Sequence, residues 1–337
     1  ALEQHARILC LPSPAPKNGV RGFECASAGG DNRRMDQVLD LDFVREQFPA
    51  LATSTALMDN AGGSAPARPV IRRIADHLER LPVQLGASYA LSREAGESVD
   101  AGRRAAEALV GAQPGKVVLG ASTTTNLAML ADALADTWSP GDAVVVSDLE
   151  HESNRGPWRR LAARGIEVRE WAFRSDTARL HLEDLEPLLD EHVRLVAFTH
   201  VSNVVGEVHD AARFCARIRA AGALSVVDGV AFAPHRAVDV AQLGCDVYAV
   251  SLYKTFGPHL GLLYGRAEVL RAARGRNHFF VGEDHVPAKF EPGNVPYELC
   301  AGLRGILDYF DALDRHHGGP RDLAPRERVV RAFEEAG

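Results

Sequence analysis

From about residue 68 the chain alternates between stretches whose apolar residues recur on a helical period and short unbroken apolar runs. Helical spacing falls at residues 69–81, 93–110, 122–138, 154–164, 182–190, 210–221 and 297–313. Apolar runs fall at 117–119, 143–147, 167–173, 194–199, 224–228, 247–251 and 260–264. In the stretch that starts at Ser122, residues Leu127, Leu130, Leu134 and Trp138 form one stripe that would bury a helix face, and Pro140-Gly141 ends it. Asp210 is placed to cap a helix that carries Phe214 and Ile218 inward and stops at Gly222. The apolar runs are continuous rather than alternating, the pattern of strands covered on both faces. Strands and helices in alternation predict an α/β domain with a mostly parallel sheet between helices, and ligands at the carboxyl ends of its strands. A short amphipathic segment at residues 42–48 precedes this unit, and no internal repeat is visible.

Composition narrows the function classes. The chain has 337 residues, 46% hydrophobic and 25% charged, enough for one large domain and a smaller one. A net charge of −7 argues against a general nucleic-acid binder. No run approaches the roughly 18 apolar residues of a membrane span. The five cysteines (Cys10, Cys25, Cys215, Cys245, Cys300) are scattered without metal-type pairing, which suits a reducing cytoplasm and gives no metal site. Residues 1–34 are unlike the rest: 11–17 are proline-rich, and 26–34 are rich in Gly, Ser, Asn and Arg. They read as a flexible extension, or as an upstream translation artefact ahead of Met35, and not as a signal peptide.

Chemistry-bearing residues stand at the ends of the apolar runs. Gly120-Ala121-Ser122-Thr123-Thr124-Thr125-Asn126 joins a strand to a helix, where hydroxyls and free N–H groups suit a phosphate or a plain N-cap. His151 follows the run at 143–147, as a ring-stacking or proton-moving group or as a surface histidine. Asn203 follows the run at 194–199 and suits a ligand oxygen or an ordinary turn. Asp228 closes the next run, where a carboxylate needs a cationic partner or forms an Asx-type turn. Lys254, in Ser251-Leu252-Tyr253-Lys254-Thr255-Phe256-Gly257-Pro258, follows the run after that. Taken singly, each has a plain structural explanation, but together they point to one edge of one sheet. An acid and then a lysine at successive strand ends are what holds pyridoxal phosphate: the lysine forms an imine with the aldehyde, and the carboxylate keeps the pyridine nitrogen protonated.

With these residues in view, the chain resembles the class V aminotransferase family of fold-type I pyridoxal-phosphate enzymes, in its cysteine-desulfurase-like branch. The resemblance runs from about Phe48 to Leu313. It is carried by Met58-Asp59-Asn60-Ala61-Gly62-Gly63-Ser64, Glu150-His151-Glu152-Ser153-Asn154-Arg155-Gly156-Pro157-Trp158, His200-Val201-Ser202-Asn203-Val204, Val227-Asp228-Gly229, the Lys254 segment, and Phe290-Glu291-Pro292-Gly293-Asn294. The resemblance implies Lys254 as the imine lysine and proton shuttle, Asp228 on the pyridine nitrogen, and His151 over the ring. It implies Ser122, Thr123 and Ser251 on the phosphate, and Asn203 near the ring hydroxyl and the substrate carboxylate. It also implies a homodimer with shared active sites, in which the Gly293-Asn294 segment reaches the partner's site. Three positions depart from the family pattern: Ala231, where relatives often carry Gln or His; Tyr253, where a histidine often touches the phosphate; and Asn294, where threonine is common.

The expected organisation is an extension at 1–34, an N-terminal segment at 35–66 that contributes to the active site, a large cofactor-binding domain at 67–313, and the start of a linking helix at 314–337, with the small C-terminal domain of the family absent or truncated. The expected reaction begins with a small amino acid bound as an imine and ends in cleavage of a β-carbon–sulfur or –selenium bond. Transamination, epimerisation and a non-catalytic dimeric role are the alternatives. Residues 62–64 and 88–91 are expected to supply small polar pocket walls, and no carboxylate-binding arginine is identifiable.

Overall fold

The computed structural model describes residues 39–320 and 322–336, so the expected extension at 1–34 and Met35 lie outside the described residues. In chain order the elements are α1 (Leu41–Glu46), α2 (Arg68–Arg80), α3 (Ala90–Val110), β1 (Val117–Gly120), α4 (Thr123–Ala135), β2 (Ala143–Ser147), α5 (Glu152–Arg160), β3 (Glu167–Trp171), α6 (Leu182–Leu185) and β4 (Val193–Thr199). They continue with α7 (Ala211–Ala220), β5 (Leu224–Asp228), α8 (Val240–Leu243), β6 (Val247–Ser251), β7 (Gly261–Gly265), α9 (Ala267–Ala272), α10 (Tyr297–Gly302), α11 (Arg304–His316) and α12 (Pro325–Ala336).

The strands form one seven-stranded sheet in the order β1-β7-β6-β5-β4-β2-β3. The pairs β6–β5, β5–β4, β4–β2 and β2–β3 are parallel, and β7 runs antiparallel to both β1 and β6. The expected α/β fold with a mostly parallel sheet is borne out. The carboxyl ends of β1, β2, β4, β5 and β6 therefore share one edge, where β7 begins. Successive strand residues feed opposite cores. Val117, Leu119, Val145, Phe198, Val227 and Val250 pack with α3, α7, α11 and α12, and Val118, Val144, Val146, Ala197, Val226 and Ala249 pack with α4, α5 and α9. Both faces of the inner strands are covered, as parallel sheets require.

Three expectations are corrected. β3 is an edge strand whose Glu167 and Glu170 are exposed, so it is not covered on both faces. Residues 297–313 do not form one helix but break at Leu303. There the chain presses on α2: a Cβ on Gly302 would lie 2.7 Å from Ile74 Cγ1, and one on Gly305 would lie 2.4 Å from Val70 N. Finally, 182–190 holds only the short α6 and a 3-10 turn. α12 lies against α11 and α3, with Val329 and Ala332 buried. No described helix is long and apolar enough to cross a membrane.

β1 has a sheet partner on one side only, and an ion pair satisfies the other. Arg103 donates to both carboxylate oxygens of Glu291 at 2.8 Å and to the Val117 carbonyl at 3.2 Å. Glu291 Oε1 accepts from Leu119 N at 2.9 Å. The free edge is thereby closed, and the segment that leads to Asn294 is tied to it.

Candidate active site

The phosphate-type corner forms where β1 turns into α4. Ser122, in extended backbone, accepts a hydrogen bond from Thr125 N on its Oγ at 3.0 Å and caps the helix. The remaining first-turn N–H groups and the positive end of the helix dipole face outward from the strand ends. Thr123 Oγ1 and Ser251 Oγ, both buried, lie 2.8 Å apart and join the start of α4 to the end of β6. Gly261 permits this approach, because a Cβ there would fall 2.3 Å from Ser122 C and 2.4 Å from Thr123 N. Gly261→Ala is expected to push the turn away from Ser251, costing about 1–3 kcal/mol of stability and weakening phosphate-ligand binding. Chemical denaturation and titration calorimetry measure the two effects, and a variant as stable as the wild type would show that the turn relaxes freely.

Asp228 forms the floor. It is 4% exposed, and its Oδ1 accepts from Val230 N at 2.9 Å. Burial raises its pKa above the ordinary carboxylate value, against the opposing pull of His151 and Lys254. Residue 229 has to be glycine here, since a Cβ would lie 2.0 Å from the Tyr248 ring. His200 at the end of β4 turns away from the pocket: its Nδ1 meets the Tyr248 hydroxyl at 2.8 Å and its ring stacks on Phe232 at 3.7 Å. Burial, with His209 adding to it, lowers the His200 pKa to about 4, so this ring is neutral.

His151 caps α5. Its Nδ1 accepts from Ser153 N at 3.1 Å, so the neutral ring carries its proton on Nε2. Lys254 stands on a 3-10 turn after β6, and its Nζ donates to the Ala61 carbonyl at 2.5 Å. Burial lowers its pKa, while Asp228 and Asp59 act in the opposite sense. The N-terminal segment is fastened to this turn. Ser64 N donates to the Tyr253 carbonyl at 3.0 Å, Phe256 N donates to Ser64 Oγ at 2.9 Å, and Ala67 N donates to the Phe256 carbonyl at 3.0 Å. Phe256 takes a left-handed backbone (φ 62°) and sits buried beside Phe48 and Tyr309. Such a conformation is strained for a bulky residue, and the surrounding packing holds it.

One pocket, partly open to solvent, is lined by Ser122, Thr123, His151, Asn203, Asp228, Ser251, Tyr253 and Lys254. Sequence reasoning had singled out all eight. The ninth, Asn294, lies outside it: it is exposed on a turn where Gly293 and Asn294 have φ of 73° and 74°. Thr199 and Ser153 also line the pocket; as small polar residues next to more conspicuous ones they carry no chemical mark of their own in the sequence. Residues 62–64 and 88–91 were expected as walls. Neither set lines this pocket; Gly62, Gly63 and Ser64 line a separate groove that also includes Tyr253. The Tyr253 ring stacks on His259 at 4.7 Å.

Comparisons with known proteins agree with this geometry. The family model "Aminotransferase class-V" matches residues 56–322. The aminotransferase-like protein FGM3 of Gibberella zeae is 39% identical over 277 residues, covering 80% of this chain and 68% of that protein. The cysteine desulfurase-like protein ustD of Aspergillus flavus is 32% identical over 305 residues, covering 88% of this chain and 67% of that protein. The apo structure of a cysteine desulfurase from Thermococcus onnurineus superposes with a TM-score of 0.74 at 26% identity, covering 81% of this chain and 70% of that one. Fold, pocket and sequence thus lead to one conclusion: the chain belongs to the class-V aminotransferase family, among cysteine desulfurase-like relatives.

Proposed function

We propose that this chain is a pyridoxal-phosphate-dependent enzyme that breaks the bond between the β-carbon and sulfur or selenium in a cysteine-type amino acid. The observation that carries the reading is the convergence of the Lys254 amine, the Asp228 carboxylate and the hydroxyl-rich start of α4 on one pocket. The donor set fits the cofactor: hydroxyls and a helix N-terminus for a phosphate, a buried acid for a ring nitrogen, and an amine of lowered pKa for an aldehyde.

When bound, the cofactor supplies an aldehyde that condenses with amines and a ring that withdraws electrons from the substrate's α-carbon. Ser122, Thr123 and Ser251 would hold its phosphate, and Asp228 would hold a proton at its ring nitrogen. His151 would cover the ring, with Nε2–H available to a substrate group. Lys254 Nζ would anchor the aldehyde carbon and, once displaced by substrate, take the α-proton. Burial favours its neutral, nucleophilic form. Asn203 would orient the substrate carboxylate.

The names of the cysteine desulfurase-like relatives support the bond chosen. Cys215, Cys245 and Cys300 are buried and do not line the pocket. Burial pushes the Cys215 and Cys300 thiols up to about 12. The leaving group in this reading therefore departs without attack by any of these thiols. Incubation with cysteine and pyridoxal phosphate is expected to release sulfide together with pyruvate and ammonia. Transfer of the amino group to an α-keto acid without sulfide, or racemisation of alanine alone, would replace this reading with transamination or epimerisation. The working unit in this reading is a homodimer that the exposed Gly293-Asn294 turn helps to complete. Exposed Met58, Phe279 and Phe280 support an associating surface, and a monomer in sedimentation of the active sample would remove it.

A further inference from the structure

Asp59 begins the segment that runs beside the lysine, and the proposed reaction gives it no role. Its side chain folds back on its own backbone, with Oδ1 accepting from Gly62 N at 3.2 Å. The Asp59 carbonyl accepts from Gly62 N at 3.2 Å and from Gly63 N at 3.4 Å. Residue 62 is glycine where the carboxylate folds over, and a Cβ there would lie 2.8 Å from Asp59 Oδ2. Two residues further on, Ser64 is tied to the Tyr253 carbonyl through both N and Oγ, each at 3.0 Å. The Ala61–Gly62 peptide is therefore gripped between two fixed points.

A trans peptide is planar, and its N–H and C=O point in opposite directions. With the Gly62 N–H held by Asp59, the Ala61 carbonyl of the same peptide is aimed away from Asp59, and there it accepts from Lys254 Nζ at 2.5 Å. A carboxylate on the N–H end also draws negative charge to the carbonyl end, which strengthens its hold on an ammonium group. Ala61 is not among the residues that line the pocket, so an amine bonded to it has to let go before it meets a group inside. Among the described residues, the charged groups that face this amine are Asp228 at the end of β5 and Asp59, and both oppose the lowering of its pKa by burial. The Tyr253 ring centre lies 5.8 Å from Nζ, and His151 faces Asp228.

We propose that Asp59 is a positioning residue: by gripping the Gly62 N–H it aims the Ala61 carbonyl at Lys254 and so fixes where the free amine rests. Its carboxylate also keeps that resting amine charged. The two effects separate by substitution. Asp59→Asn keeps a side-chain oxygen for Gly62 N and loses the charge, whereas Asp59→Ala loses both. Neither effect needs the cofactor. Only the consequence rests on the proposed function: the amine has to lose a proton and leave Ala61 before it can bond an aldehyde carbon, so Asp59 slows loading of the site.

The test is the rate at which trinitrobenzenesulfonate, which attacks only neutral amines, modifies Lys254 in the cofactor-free full chain at neutral pH, read by mass spectrometry of the digested protein. The chain has four lysines, and Lys116, just before β1, is the internal reference. The ratio of the Lys254 rate to the Lys116 rate should rise several-fold in Asp59→Ala and by less in Asp59→Asn. An unchanged ratio in Asp59→Ala overturns the proposal. A rise in Asp59→Asn that equals or exceeds the other removes the positioning role, since charge alone would account for it. Gly62→Ala gives an independent reading if Asp59→Ala fails to fold: the new Cβ displaces the carboxylate from the turn, the ratio should rise, and an unchanged ratio counts against the proposal. Added pyridoxal phosphate should form its visible band faster in Asp59→Ala than in wild type. Band formation at an unaltered rate overturns the consequence for loading, whereas no band in any of the proteins bears on the proposed function alone, because the cofactor-free rates decide the role of Asp59.

Discussion

Lys254→Ala is expected to lower turnover by on the order of 10⁴-fold and to abolish the visible band that pyridoxal phosphate acquires on bonding to a lysine amine. Both effects have one cause. In the proposed function Lys254 Nζ is the sole group that bonds the aldehyde carbon, and it is also the base at the α-carbon. Stability should change little, since the side chain is half-buried and its one hydrogen bond goes to the Ala61 carbonyl; such a bond contributes roughly 1 kcal/mol. The phosphate corner and the floor remain in the variant, so pyridoxal phosphate should still bind but be lost on dialysis. Absorbance before and after dialysis, with an unfolding curve, separates these outcomes. A visible band retained by Lys254→Ala would assign the covalent bond to another amine and remove Lys254 from the site.

Arg103→Met is expected to destabilise the protein by about 3–5 kcal/mol, the range for removing one partner of a buried ion pair. Glu291 has a 7% exposed side chain and would keep its charge with a single backbone donor, Leu119 N. The outer edge of β1 would lose the donor to the Val117 carbonyl in the same step. Removing both charges in Arg103→Met/Glu291→Met should cost much less than the two single changes added together, since no isolated charge is left. Denaturant unfolding of the four proteins in the cycle measures the coupling. Additive losses would mean that the pair is a solvated contact and that β1 closes its edge by other means.

The sequence revealed groups whose signal is local. Lys254, Asp228, His151 and Asn203 each follow an apolar run, and a strand end exposes whatever residue comes next, so position along the chain predicts position in the pocket. Glu150 shows where this reasoning fails. Between Asp148 and Glu152 it looks like part of a solvated charged loop, and its burial follows from Asn154 and Trp158 folding over it. The direction of β7 was equally hidden, because an apolar run carries no sign of which way it is paired. The same holds for the break at Leu303, where the contact of Gly302 and Gly305 with α2 is set by packing between helices distant in the chain. The tie between Arg103 and Glu291 spans 188 residues and has no local mark at all.

The bonds between Ser64 and the Tyr253–Phe256 turn have a consequence for the order in which the molecule is made. They join positions up to 192 residues apart, so residues 61–67 leave the ribosome long before the turn they dock on exists. The Ala61 carbonyl meets Lys254, 193 residues later, only at that stage. Contacts this distant in sequence form late in folding. During synthesis, the strap beside the lysine has to wait for most of the sheet before it can close.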